Sequence, residues 1–130
     1  MGAKGFFGAT RAHRRTARLA DLIGARQGEV IRERRYGGRG PQPSPSRAIV
    51  TVRKGPINDV FPGQLDAVVA AGYPLPTPVP HRCGPGAIFE RTDDLPRVEV
   101  TAFPAGTEFV EGGGDVVPDG HTGIVVDIST

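Results

Sequence analysis

Glycine and proline constrain this chain more than any other feature of its sequence. Together they supply 32 of the 130 residues, as 19 glycines and 13 prolines. Because glycine weakens helices and strands, and proline lacks the backbone N–H that both need, this content predicts many turns and short or extended segments. With no Trp and one Met, few large side chains are available to fill a core. We therefore expect a small core that draws part of its stability from partners.

Charge is separated along the chain. Residues 1–54 contain thirteen Lys or Arg and three acidic residues, whereas residues 55–130 contain three Arg and eleven acidic residues. A mixed distribution is typical of an ordinary domain surface, so the separation indicates a role in contact with other molecules. The basic half can bind nucleic acid, or the acidic half of a neighbouring copy.

Residues 1–46 are predicted to form a basic, partly helical arm that ends in a Pro- and Gly-rich linker over residues 37–46. A helix from Thr10 to about Arg35 would bring some of the apolar residues of this segment into a partial stripe on one face. Gly24 and Gly28 each cost such a helix about 1 kcal/mol, so the alternative is a helix that ends near Gly24, followed by a strand over residues 29–36. The sequence leaves both open.

Residues 47–130 are predicted to form a small, mainly β domain, a barrel or sandwich with one short helix. Its turns are marked by Gly, Pro and Asp, and its strand segments are rich in Val, Ile, Phe and Thr. The expected strands are Ala48–Arg53, Ala87–Arg91, Arg97–Phe103, Thr107–Val110 and Thr122–Ile128, and the expected helix is Gln64–Ala71. Pro74–Pro80, with a proline at every second position, is predicted to be an extended segment that crosses a surface and lacks a ladder donor at every other residue.

The arginines of the arm are the strongest functional signal. Guanidinium groups form two-pronged hydrogen bonds to phosphates and carboxylates alike, so they suit either nucleic acid or an acidic protein surface. The arm has few aromatic residues for stacking on bases. The residues predicted to contact a partner or nucleic acid are Arg11, Arg14, Arg15, Arg18, Arg32, Arg34 and Arg35.

Catalytic and metal-binding patterns are weak. His81 and Cys83 supply two zinc ligands at most, whereas a structural zinc site needs four. Cys83 followed by His121 matches the chain order of a thiol hydrolase, but glycine and proline after Cys83 prevent the helix that would stabilise a thiolate. We expect no catalytic residue, no metal and no cofactor, and therefore not an enzyme. No segment approaches the ~18 apolar residues of a membrane span, so no membrane partner is expected.

The C-terminal part of the chain contains, in this order, Pro-x-Gly-Thr, an acidic turn, a glycine and a hydrophobic strand. This pattern runs through Phe103–Val110 and then Asp119–Ile128. This ending resembles that of small β-barrel head–tail connector, or stopper, proteins of tailed phages of actinobacteria. The resemblance covers about the last thirty residues, and the long basic arm is not part of that pattern. It implies a non-enzymatic structural component of a virion, located at the head–tail neck or associated with the capsid. Its partners would be copies of itself and other virion proteins, after assembly in the host cytoplasm. The alternative is a nucleic-acid-binding module that uses the arm.

Overall fold

The computed structural model describes residues 2–37, 45–109 and 114–130, and the side chains of these residues except 2–10 and 81. In chain order the elements are α1 (Gly2–Leu22), β1 (Glu29–Tyr36), β2 (Ser46–Lys54), α2 (Ile57–Ala70), β3 (Thr77–His81), β4 (Gly84–Phe89), β5 (Arg97–Phe103) and β6 (His121–Ser129). The strands form one antiparallel sheet in the order β1-β2-β6-β5-β4-β3. The prediction of a mainly β fold is confirmed. The predicted barrel or sandwich is wrong, because the strands form one open sheet, and α1, from the predicted arm, packs on this sheet beside the one helix expected in the domain.

The longer alternative for the N-terminal helix is wrong, and the alternative of a helix followed by a strand is confirmed. Helix α1 ends at Leu22, and Gly24 has a φ of 70°, a conformation that glycine adopts without strain. Gly28 has a φ of 82° and immediately precedes β1. A Cβ atom on Gly28 would lie 2.5 Å from the Val52 carbonyl oxygen. The expected linker over residues 37–46 lies largely outside the described residues.

The main core lies between the helices and one face of the sheet. Strands β2 and β6 are interior strands and pair along their whole length, from Ser46 with Ser129 to Lys54 with His121. Their Val and Ile side chains are buried on both faces, as expected of central strands. The apolar residues of this core are Leu19, Ala20, Ile23, Ala25, Ile49, Val68, Tyr73, Phe89, Val98, Val100, Ala102, Ile124, Val126 and Ile128. Residues 19–25 of the predicted arm therefore pack on the sheet.

The opposite face of the sheet carries a second, smaller apolar cluster. Val117 and Phe109, from the described parts of the connection between β5 and β6, pack on this face, and the Phe103 and Phe109 ring centroids are 5.3 Å apart. Gly123 makes room for Phe109, because a Cβ atom there would lie 2.4 Å from the Phe109 ring. A strand was predicted over residues 107–110, but residues 107–109 form only an isolated bridge, between Glu108 and Val116, and position 110 lies outside the described residues.

Two segments differ from their predicted secondary structure because of tertiary packing. The helix expected to begin at Gln64 begins at Ile57, with Pro62 inside it, because Ile57, Val60 and Phe61 pack on the main core. The extended Pro-rich segment is the edge strand β3, which pairs with β4 from Thr77 with Ile88 onward. Proline has no N–H group to donate. When prolines are at alternate positions of an edge strand, the positions without a donor can all lie on the outer, unpaired side of the sheet.

Candidate functional site

A polar cluster beneath α1 fixes this helix to the sheet. Buried Arg47, on β2, donates hydrogen bonds to Thr16 Oγ1 at 3.1 Å and to the His13 carbonyl at 2.9 Å. Its guanidinium also pairs with Glu33 on β1. Glu33 accepts two further hydrogen bonds of 2.8 Å from Arg26, which in turn contacts the Ala17 carbonyl at 3.1 Å. The position of α1 is therefore set by charged groups as well as by apolar contacts.

The charges of this cluster stabilise one another. Hydrogen bonds from Arg26, followed by those from Arg47, hold the pKa of the Glu33 carboxyl below its usual range, even though burial acts in the opposite direction. The same contact with Glu33 raises the pKa of Arg26. The charged side chains of this cluster pair with one another and with backbone carbonyls of α1, so their role is structural.

The early group of predicted arginines forms one surface on the outside of α1. Arg11, Arg14, Arg15 and Arg18 are all exposed. Their spacing places them on one side of the helix, opposite the buried residues Thr16, Ala20 and Ile23. None of the four forms an ion pair with a residue that the structure describes. We call these four residues the basic stripe.

The late group of predicted arginines lies elsewhere, on the edge strand β1. Arg34 and Arg35 are exposed, and because neighbouring residues of a strand point to opposite faces, they do not share a face of the sheet. Arg32 is half-buried and pairs with Asp115 at 3.6 Å, across the face that carries the second apolar cluster. The structure therefore does not combine the seven predicted residues into one site.

An acidic surface on α2 was missed by the sequence reasoning. Asp59 and Asp66 are exposed, seven residues apart, and lie on the side of α2 opposite the buried Gln64 and Val68. Helix α2 contains no Lys or Arg. The spacing was visible in the sequence, but the predicted helix began after Asp59, so the two aspartates were not placed on one helix. We call Asp59 and Asp66 the acidic pair.

The basic stripe and the acidic pair lie on the same side of the molecule. Both helices pack on the same face of the sheet, and Gln64 of α2 donates a hydrogen bond of 2.7 Å to the Ile23 carbonyl just after α1. On its other flank, α1 borders a groove of about 440 Å³, where Arg15 and Arg18 face the turn that carries Asp93 and Asp94. The helical layer thus presents cations and carboxylates on adjacent surfaces.

Cys83 and His121, the pair weighed for thiol catalysis, lie in different surroundings. Half-buried Cys83 packs against the second apolar cluster, whereas His121 lines a cavity next to α2. The side chain of His81 lies outside the described set. Within the part of the chain that the structure describes, no three His, Cys, Asp or Glu side chains are grouped closely enough to hold a metal ion.

No protein-family model matches the chain, and no curated protein or solved structure shows significant similarity to it. Among the described residues, no helix has both the length and the apolar character needed to cross a membrane.

Proposed function

We propose that this protein is a non-enzymatic assembly subunit, in which the basic stripe of one copy contacts the acidic pair of the next. The observation that supports this proposal is the matched spacing of opposite charges on two adjacent helices. Arg11 and Arg18 are seven residues apart on α1, and Asp59 and Asp66 are seven residues apart on α2. At a rise of 1.5 Å per residue, each pair spans about 10.5 Å, so two facing helices can form both ion pairs at once.

The contact joins two different surfaces, so it is heterologous. Such a contact leaves a free basic stripe at one end of a dimer and a free acidic pair at the other, and further copies add until a ring closes or a filament grows. A structural component of a particle needs this kind of self-assembly.

Exposed ion pairs contribute about 0.2–1 kcal/mol each, so charge mainly sets orientation and association rate. Apolar contact must supply the remaining affinity. Leu22 is 64% exposed at the end of α1, next to the basic stripe, and is available for such a contact.

The proposed setting is a tailed-phage particle, at the head–tail neck or on the capsid. The support for this setting is the resemblance of residues 103–128 to head–tail connector proteins. In that setting the other partners are virion proteins, and the protein is located in the virion. The experiment that tests the setting is mass spectrometry of purified particles from the native source.

The assembly contact is tested by charge reversal. The variant Arg11→Glu/Arg18→Glu places a glutamate at both positions that meet Asp59 and Asp66, and the variant Asp59→Lys/Asp66→Lys places a lysine at both positions that meet Arg11 and Arg18. Each is expected to remain monomeric in sedimentation velocity at low salt, whereas the unaltered chain associates. An equimolar mixture of the two variants should associate again, since every contact then joins opposite charges.

The matched control is Arg34→Glu/Arg35→Glu, which makes the same charge change on exposed residues of β1. It is expected to associate like the unaltered chain. The proposal is wrong if the unaltered chain stays monomeric at all concentrations and salt levels, or if the mixture of variants fails to associate.

A second candidate function, nucleic-acid binding, is favoured by the lack of carboxylate partners for the basic stripe among the described residues. Phosphate contacts predict an affinity for duplex DNA that falls steeply with salt, with a slope set by the number of neutralised phosphates. Arg11→Glu/Arg18→Glu should abolish this binding. Asp59→Lys/Asp66→Lys keeps the basic stripe, so it should bind DNA at least as tightly as the unaltered chain although it stays monomeric on its own, which separates this function from assembly.

A further inference from the structure

A cavity of about 580 Å³ lies between the turn after α1, the end of β2 and the first turns of α2. Its size is within the range of small-molecule sites in proteins. Lys54 and His121, which face each other across β2 and β6, lie on one side. The other charged groups that line it are Arg53, Glu29 and Asp59.

Arg53 is the unusual residue of this cavity. A guanidinium group has five N–H donors, and three of those of Arg53 have acceptors. Nε donates to Thr51 Oγ1 at 3.2 Å, and Nη2 donates to the Gly24 and Ala25 carbonyls at 3.2 and 3.4 Å. The two N–H groups of Nη1 have no acceptor among the described residues. Nη1 is also not one of the fully buried atoms without a partner, so it keeps some exposure.

This guanidinium is buried without a counter-ion. Arg53 is only 8% exposed, and no described carboxylate lies within 4.0 Å of it. Removing a charge from water without pairing it is unfavourable, and burial accordingly lowers the pKa of Arg53 to about 10. Glu29 and Asp59 line the same cavity but are exposed, and neither forms an ion pair with Arg53.

A purely structural role accounts for part of this arrangement. Arg53 satisfies two carbonyl groups just beyond the end of α1, where backbone acceptors have no helical partner. That role uses only three of its donors. It leaves two donors unused on a side chain that lines the cavity together with Lys54.

We propose that this cavity binds a small organic oxyanion, whose carboxylate or phosphate group is held by Arg53 and attracted by the charge of Lys54, which also lines the cavity. The anionic end lies at the buried guanidinium, and the rest of the ligand extends toward Glu29 and Asp59. Because those two carboxylates repel a second negative charge, the body of the ligand is neutral or cationic. The site is separate from the basic stripe and does not depend on the assembly proposal.

The test uses the full chain, labelled with ¹⁵N, and three probes at constant ionic strength. The probes are acetate, its neutral counterpart acetamide, and inorganic phosphate. Saturable shifts of the Lys54 and His121 amides are expected with acetate or phosphate and not with acetamide. The anion that binds more tightly identifies the ligand's charged group as carboxylate or phosphate.

Two variants assign the binding to this cavity. Arg53→Gln should abolish it, but this residue is buried, so its spectrum must first show a folded protein. Lys54→Gln alters an exposed residue and should weaken binding about fivefold, the effect of one charge contact. Arg82→Gln, at an exposed position outside the cavity, is the control and should not change the affinity.

Three results would overturn the proposal. The first is that neither anion produces saturable shifts at concentrations up to the order of 50 mM, a very weak affinity for any specific site. The second is that acetamide shifts the same amides as strongly as acetate. The third is that Lys54→Gln binds as tightly as the unaltered chain.

Discussion

Replacing Glu33 with Gln tests whether the polar cluster holds α1 on the sheet. The substitution keeps the shape of the side chain and one carbonyl acceptor but removes the charge between Arg26 and Arg47. Breaking a fully buried ion pair costs about 3–5 kcal/mol. Here Arg47 is 8% exposed, but Arg26 and Glu33 are 26% and 23% exposed, so water screens part of the loss. We expect the free energy of unfolding to fall by about 2 kcal/mol at neutral pH.

The effect should depend on pH in a defined direction. The pKa of Glu33 is lower in the folded protein than in the unfolded chain, so its contribution is complete above the unfolded value of about 4.3. The contribution is lost as pH falls through the folded value. The difference in unfolding free energy between the two proteins should therefore be constant from about pH 6 to 8 and decrease below about pH 4.

Urea unfolding at pH 7, 5 and 3.5 measures both effects, and a melting temperature lower by about 8 °C should accompany the loss at neutral pH. Amide hydrogens of residues 16–22 should exchange faster, because Arg47 and Arg26 hold backbone carbonyls of this helix. Glu29→Gln, on an exposed residue of the same strand, is the control and should change stability by less than about 0.5 kcal/mol. A loss below about 0.5 kcal/mol for Glu33→Gln at pH 7, or a loss that does not change down to pH 3.5, would refute this account.

Two further predictions concern packing and the sheet edge. Gly63→Ala lies in α2 with no atom within 4 Å of the new Cβ, so it should stabilise the protein by about 0.5–1 kcal/mol in urea unfolding. Gly123→Ala should destabilise it by about 1–3 kcal/mol, because the Cβ collides with Phe109. Equal effects of these two substitutions would contradict the packing described. Pro78→Thr/Pro80→Thr adds two N–H donors to the edge strand β3, so light scattering should show increased aggregation at unchanged core stability. Unchanged scattering would show that these prolines do not protect the edge.

Several features of the fold could be predicted from local sequence because local and tertiary preferences agree. The predicted strand Arg97–Phe103 coincides with β5, and the cores of β2 and β6 were found within two residues at each end. These segments are rich in β-branched residues, which favour strands wherever they pack. The helix end near Gly24 also follows from local chemistry, since glycine accepts its positive φ without strain.

The candidate surfaces were only partly predictable. The basic stripe follows from the spacing of four arginines on one helix. Predicting the acidic pair would have required the true start of α2, which lies seven residues before the predicted start. Local preference places the helix start after Pro62, but burial of Ile57, Val60 and Phe61 on the core outweighs the hydrogen bond that the proline removes. The cavity at Arg53 could not be predicted at all, since its walls come from segments far apart in the chain.

The sequence by itself determined the separation of charge, the positions of the turns and the strands at the centre of the sheet. Each of these depends on the chemistry of neighbouring residues. The tertiary structure alone decided that residues 29–36 form a strand, that the alternating prolines lie on an edge, and that Glu33 pairs with Arg47. Those outcomes depend on which distant segment lies alongside, and β2 supplies both the strand partner of β1 and the guanidinium that meets Glu33.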